Sequence, residues 1–125
     1  MAPYEKLDAW KACHQLMLAV YRITKGWPET EKYGFVSQIR RAAFSAAVNI
    51  VEGSCKRGPD EFARFLDTSI GSLGEVTYCI LCTRDLGILE GNDLKELVEK
   101  RDSAGRLTWR LYEAISRRSK RRKRR

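Results

Sequence analysis

The groups able to do chemistry in this chain are few, and their spacing argues against most of the chemistry they suggest. Cys79 and Cys82 have the separation of half a zinc site, and Cys13 beside His14, the only histidine, could complete a tetrahedron. Both members of the first pair, however, stand among Val76, Ile80 and Leu81 in a helical pattern, where free cysteine is a common core residue. No metal and no cofactor is therefore expected. Cys55 is the fourth cysteine, and with no export signal ahead of them the four are expected to be free thiols rather than a disulfide framework. One histidine with no nucleophile implied beside it, and acids scattered over helix surfaces, make no acid–base pair, so the expectation is a protein that is not an enzyme.

The net charge of +8 becomes informative once it is located. Residues 117–125 hold Arg117, Arg118, Lys120, Arg121, Arg122, Lys123, Arg124 and Arg125 and no acid, whereas the other 116 residues hold 16 bases against 16 acids. The body is formally neutral. Arginine dominates the segment, and its planar fork pairs bidentately with phosphate. Lys56 and Arg57, with Arg40, Arg41 and Arg64, could extend a phosphate-binding surface. No aromatic residue interleaves with the tail bases, so neither base stacking nor sequence readout is suggested. The bland alternative is a solvated extension.

These residues need elements to position them. The prolines stand at 3, 28 and 59, leaving long stretches free of helix breakers, and 43% hydrophobic residues suffice for one core. Apolar steps of three and four predict helix 1 over residues 8–25 (Trp10, Cys13, His14, Met17, Val20, Tyr21, Thr24), with Asp8 as its cap. Helix 2 is expected over 35–55. Gly58, Pro59, Asp60 and Glu61 signal the start of helix 3, which Gly87 ends. Its Gly71 and Gly74 suggest another backbone packing closely there. Asp93 and Glu96 have capping-box spacing and open helix 4, whose expected inward pattern of Leu94, Leu97, Val98, Ala104, Leu107, Thr108, Leu111, Tyr112 and Ile115 runs to about Ser116. The expectation is an all-α, up-down-up-down antiparallel four-helix bundle over 1–116 and a disordered basic tail over 117–125, since like charges repel and the tail has nothing to bury. No apolar run is long enough to span a bilayer and no signal peptide is evident, so a soluble, cytoplasmic protein without membrane attachment is expected.

Helix 2 has an unusual wheel. Its apolar residues cover roughly two thirds of the circumference, while Gln38, Arg41, Ser45, Asn49 and Glu52 gather in one narrow stripe. That much apolar surface predicts covering by a second copy of the chain. The stripe is either a solvated face or a polar network that fixes helix register and subunit contacts, with Asn49 and Glu52 enclosed and paired.

The run from Gln38 to Gly53, with Asn49-Ile50-Val51-Glu52-Gly53 at its end, resembles the signature of four-helix-bundle proteins encoded by intervening sequences in bacterial 23S ribosomal RNA genes. Tyr4 to Trp10, Trp27-Pro28, Tyr33-Gly34, Glu61-Phe62, Phe65-Leu66, Gly71-Ser72-Leu73 and Asp85-Leu86-Gly87 agree with it, so the resemblance spans about residues 4–115. It implies a ring of five bundles without known enzymatic activity. Related bundles include the accessory variability determinant of diversity-generating retroelements, a basic pentamer that binds a reverse transcriptase and its template RNA. The chain departs from the pattern at Gly74, where a larger residue is expected, and in its tail. Two functions follow as expectations: an oligomeric nucleic-acid-binding accessory protein, RNA favoured over DNA and a reverse transcriptase as a candidate partner, or an oligomeric protein–protein scaffold. Attachment of the tail to anionic lipid is a weaker third, because no apolar face lies beside it.

Overall fold

The computed structural model describes residue 4 and residues 7–124. Four helices make up the fold: α1 (Asp8–Thr24), α2 (Ser37–Ser54), α3 (Pro59–Asp85) and α4 (Gly91–Arg124). A short 3-10 turn (Glu29–Glu31) and a π turn (Lys32–Val36) join α1 to α2. No strand occurs among the described residues, and none of the helices there is long and apolar enough to cross a membrane.

Each helix packs on its neighbours in the chain, and α4 returns to pack on α1, so α2 and α4 occupy opposite corners. The core between them is the one the apolar periods define. Leu16, Val20, Ile39, Ile50, Leu66, Leu73, Val76 and Leu97 are all fully or almost fully buried. Helix α2 contributes mainly alanines, Ala42, Ala43, Ala46 and Ala47, whose small side chains let its neighbours approach. Polar bonds tie the helices across that core. Ser69 donates to the Ala46 carbonyl oxygen at 2.5 Å, linking α3 to α2, and Cys13 Sγ meets Thr108 Oγ1 at 3.4 Å, linking α1 to α4.

The starts of α1 and α4 differ from the expected caps. Leu7, not Asp8, holds the cap position of α1 and makes no side-chain bond there. Helix α4 begins at Gly91, two residues before Asp93, and Glu96 turns outward to pair with Arg22 in place of a capping box. At α3 the start signal holds: Gly58 takes φ +84°, a conformation that disfavours any side chain, and Pro59, Asp60 and Glu61 fill the first turn.

At the C-terminus, where the apolar pattern ends near Ser116 and composition suggests a disordered tail, α4 runs on without a break to Arg124. The physical reason is that nucleation, the costly step, is already complete within the bundle, so each added residue gains a hydrogen bond. Arginine and lysine are good helix formers, and positive charge is favoured at a helix C-terminus. Arg125 lies outside the described residues.

Three glycines separate close packing from open surface. A side-chain carbon at Gly53 would stand 2.8 Å from Phe65 Cβ and 2.9 Å from Phe62 Cδ1, so α3 approaches α2 only because this position is bare. Among the described residues nothing lies within 4 Å of the equivalent point at Gly71 or Gly74, so no described backbone of the same chain packs there. Gly53→Ala is therefore expected to destabilise the protein by about 1–3 kcal/mol through overpacking. Gly74→Ala, in an exposed helix interior, should stabilise it by roughly 0.5–1 kcal/mol. Chemical denaturation of both variants beside the wild type checks the pair, and a loss of stability in Gly74→Ala would mean that a second chain covers that surface.

Candidate nucleic-acid interface

The basic segment is built on the inner line of α4. Thr108, Ile115, Ser119 and Arg122 follow one another at steps of seven, four and three; the line that faces the core continues one turn past Ile115 to Ser119, and Arg122 follows one turn further on, exposed. Ser119 is buried, and its hydroxyl bonds to Asp60 Oδ1 in the first turn of α3. One turn later the Arg122 guanidinium lies directly over Gly58, in space that a side chain there would occupy. With Ser119 turned inward, Arg117, Arg118, Lys120, Arg121, Lys123 and Arg124 are exposed around the rest of the helix, as is Arg122.

Of the five body residues expected to extend this surface, the structure brings two to it. Lys56 and Arg57 lie in the turn before Gly58, both exposed, at the same end of the fold as Arg122. Lys56 also holds its ammonium 5.3 Å from the Phe65 ring centroid. Arg64 stands near that end on α3, exposed and paired with Glu61 at 3.1 Å, a surface contact of small energy that leaves it free to exchange partners.

Arg40 and Arg41 do not join the cluster. They sit near the start of α2, and about 20 Å of helix separates them from its C-terminal turn. Arg40 is occupied in closing α1: its Nε donates to Thr24 Oγ1 at 2.8 Å, a second nitrogen donates to the Tyr21 carbonyl at 3.3 Å, and the guanidinium lies 4.6 Å from the Tyr21 ring centroid. Arg41 is exposed at a groove between α2 and α3 that Gln38, Ser45, Ser72 and Glu75 also line.

The polar stripe of α2 divides in the same groove. Ser45 Oγ meets Ser72 Oγ at 2.8 Å, and Asn49 donates to the Ser45 carbonyl at 2.8 Å and to its hydroxyl at 3.1 Å, a small network that registers α2 against α3. Ser45 and Asn49 are half-buried. Gln38, Arg41 and Glu52 are exposed, so within one chain the enclosure expected of Glu52 does not occur.

Sequence reasoning missed the contacts of Ser119 with Asp60 and of Arg122 with Gly58. The available signal was the helical spacing of Ser119 and Arg122 from Ile115, hidden by the surrounding charge.

Cys13, Cys79 and the histidine are placed as packing groups. His14 stacks on Trp10 with centroids 4.9 Å apart, and among the described residues no three His, Cys, Asp or Glu side chains converge as a metal site would require. Burial pushes the Cys13 thiol up to about 11, against a smaller downward pull from its bond with Thr108. Burial, then the Glu75 carboxylate and Cys82, push Cys79 up to about 11 as well. Both are protonated at neutral pH and poorly suited to act as nucleophile or ligand.

A set of four packed helices with one strongly basic end is the class of protein that fold and surface define. The 23S rRNA-intervening sequence protein family matches residues 5–110, and the chain belongs to that family. The matched region stops short of the basic segment. None of the curated proteins matches the chain.

The raised thiols give a direct check. At pH 8 a thiol reagent should modify exposed Cys55 rapidly, whereas Cys13 and Cys79 should react only after denaturation. Mass spectrometry of the native protein after brief labelling reads this, and early modification of Cys13 would contradict the packing described.

Proposed function

We propose that this chain is a non-enzymatic, self-associating bundle of up-down-up-down antiparallel topology that binds structured RNA through phosphate contacts at the basic end of α4. The observation that carries the proposal is the placement of that charge. Seven bases within residues 117–124 ride on a helix that continues from the core, with Lys56 and Arg57 beside it, and the body contributes no net charge of its own. Such a surface attracts phosphate over distance and releases counterions on contact. The topology is supported by the order of inter-helix contacts: Arg40 with Thr24, Ser45 with Ser72 and Gly53 with Phe62, Cys13 with Thr108 and Arg22 with Glu96.

Self-association is supported by α2. Phe44 is 54% exposed on it, with Val48 and Val51 one and two turns on and only half-buried, an apolar line that one bundle does not cover. A ring of five, which the sequence resemblance implies, would cover this line and gather five basic ends on one face. A reverse transcriptase remains a candidate partner within this reading, and the cytoplasm the expected compartment. The rival function, a protein scaffold without nucleic acid, draws on the same exposed line of α2 and gives the basic end no role.

Light scattering in moderate salt is expected to give the mass of a pentamer, and a monomer at micromolar concentration would overturn self-association. Removing residues 117–125 should leave fold and oligomer intact and weaken binding to a structured RNA at least tenfold, about 1.4 kcal/mol. Affinity of the full chain should fall steeply with salt, by roughly 0.7–0.9 log units per phosphate contact for each log unit of salt. Unchanged affinity on truncation would refute the assignment of RNA binding to the end of α4.

A further inference from the structure

Continuity of α4 alters what the basic segment can be combined with. A disordered tail has no fixed neighbours, but on one helix the residues upstream of 117 share faces with those downstream. Trp109 and Lys120 lie within about 20° of one another around the helix axis at 100° per residue, with Arg106, Arg117 and Arg124 on the same side and Arg110 at its edge. The distance from Trp109 to Arg117 is about 12 Å along the axis, and to Arg124 about 22 Å.

Trp109 is the tryptophan that the core does not use. Trp10 and Trp27 pack against the buried cluster, whereas Trp109 is 51% exposed. It is nevertheless held: its ring stacks on Tyr112, one turn on, with centroids 5.5 Å apart and planes 30° from parallel, and Tyr112 in turn packs on the core. The result is a flat, buttressed aromatic face that opens to solvent in line with a run of cations. The one acid between them is Glu113, which is exposed and repels phosphate from the middle of the face, so that a base meets the aromatic end and the backbone meets the cations.

We propose that Trp109 is a base-stacking platform, and that the outer face of α4 from Arg106 to Arg124 takes a single-stranded or unpaired stretch of nucleic acid. This rests on the assignment of RNA binding to α4 and adds to it a preference for strands whose bases are free. In a duplex the bases already stack on one another, whereas an unpaired base offers its π-face to any exposed aromatic ring. Charge decides between nucleic acid and a protein partner for this ring, since the cations beside it complement a phosphate backbone.

The test uses the full chain with two fluorescent probes of equal length, a single-stranded oligouridine and an RNA duplex, at the same salt. Trp109→Ala should weaken single-strand binding at least fivefold, with less than a twofold effect on the duplex and no change in salt slope. Trp109→Phe, which keeps a ring, should recover most of the loss. Quenching of tryptophan fluorescence by the single strand should be present in the wild type and greatly reduced in Trp109→Phe. Single-strand affinity of Trp109→Ala within twofold of wild type overturns the proposal while leaving phosphate binding by the helix end standing. An equal loss on both probes together with a smaller light-scattering mass also overturns it, and assigns Trp109 to a contact between protein chains. Failure of the wild type to bind either probe removes both this proposal and the function on which it rests.

Discussion

The bond from Ser119 to Asp60 determines where the charge of this protein lies. Asp60 belongs to the first turn of α3, so the contact ties the last turns of α4 to a fixed point on the bundle. Once Ser119 is held, helical geometry sets every neighbour: Arg122 falls over Gly58, and the remaining bases fan outward at 100° intervals. The same contact places Lys56 and Arg57, just ahead of Gly58, at the edge of the fan. A buried serine bound to a carboxylate is a modest interaction, on the order of 1–3 kcal/mol, but it acts at the end of a helix already nucleated elsewhere. Little more is needed to favour order over fraying.

Length is the second constraint. Helix α4 has 34 residues against 27 in α3 and 17 in α1, and its last turns reach Asp60 and Gly58 at the start of α3. The bases there are exposed and keep their hydration. Two of the body arginines illustrate the contrast. Arg40 is engaged by Thr24, the Tyr21 carbonyl and the Tyr21 ring, and so it closes α1, while Arg41 stands exposed at a groove with Glu75 across from it. Charge counted along the sequence does not distinguish these situations. Position on an element does.

Much of the architecture is legible in the sequence because it depends on periodicity. The four helices, the Gly58-Pro59 start of α3 and the alanine-rich interior of α2 follow from steps of three and four, as do Leu97, Ala104, Thr108 and Ile115 in α4, although Val98, expected inward with them, is exposed. The failures have physical causes. Eight like charges read as disorder in composition, yet a helix that enters the segment from a folded core has already met the cost that composition arguments assume. Gly71 and Gly74 suggest close packing by their type, but glycine is required only where something approaches. Within the chain that condition is met at Gly53, against Phe62 and Phe65, and not at the other two. The polar stripe of α2 was visible as a line, while its division into a bonded pair, Ser45 and Asn49, and an exposed remainder depends on Ser72 across the groove.

The shared face of Trp109 and the cations exists only if α4 is helical through its basic end. Backbone chemical shifts of the isotopically labelled full-length protein measure this residue by residue. Helical Cα and carbonyl shifts sustained from Ser116 through Lys123, with a perturbation centred on Ser119 in Asp60→Ala, are the predicted result. Random-coil shifts beginning at Arg117 would contradict it, returning residues 117–124 to a flexible tail and removing the shared face that links Trp109 to the cations.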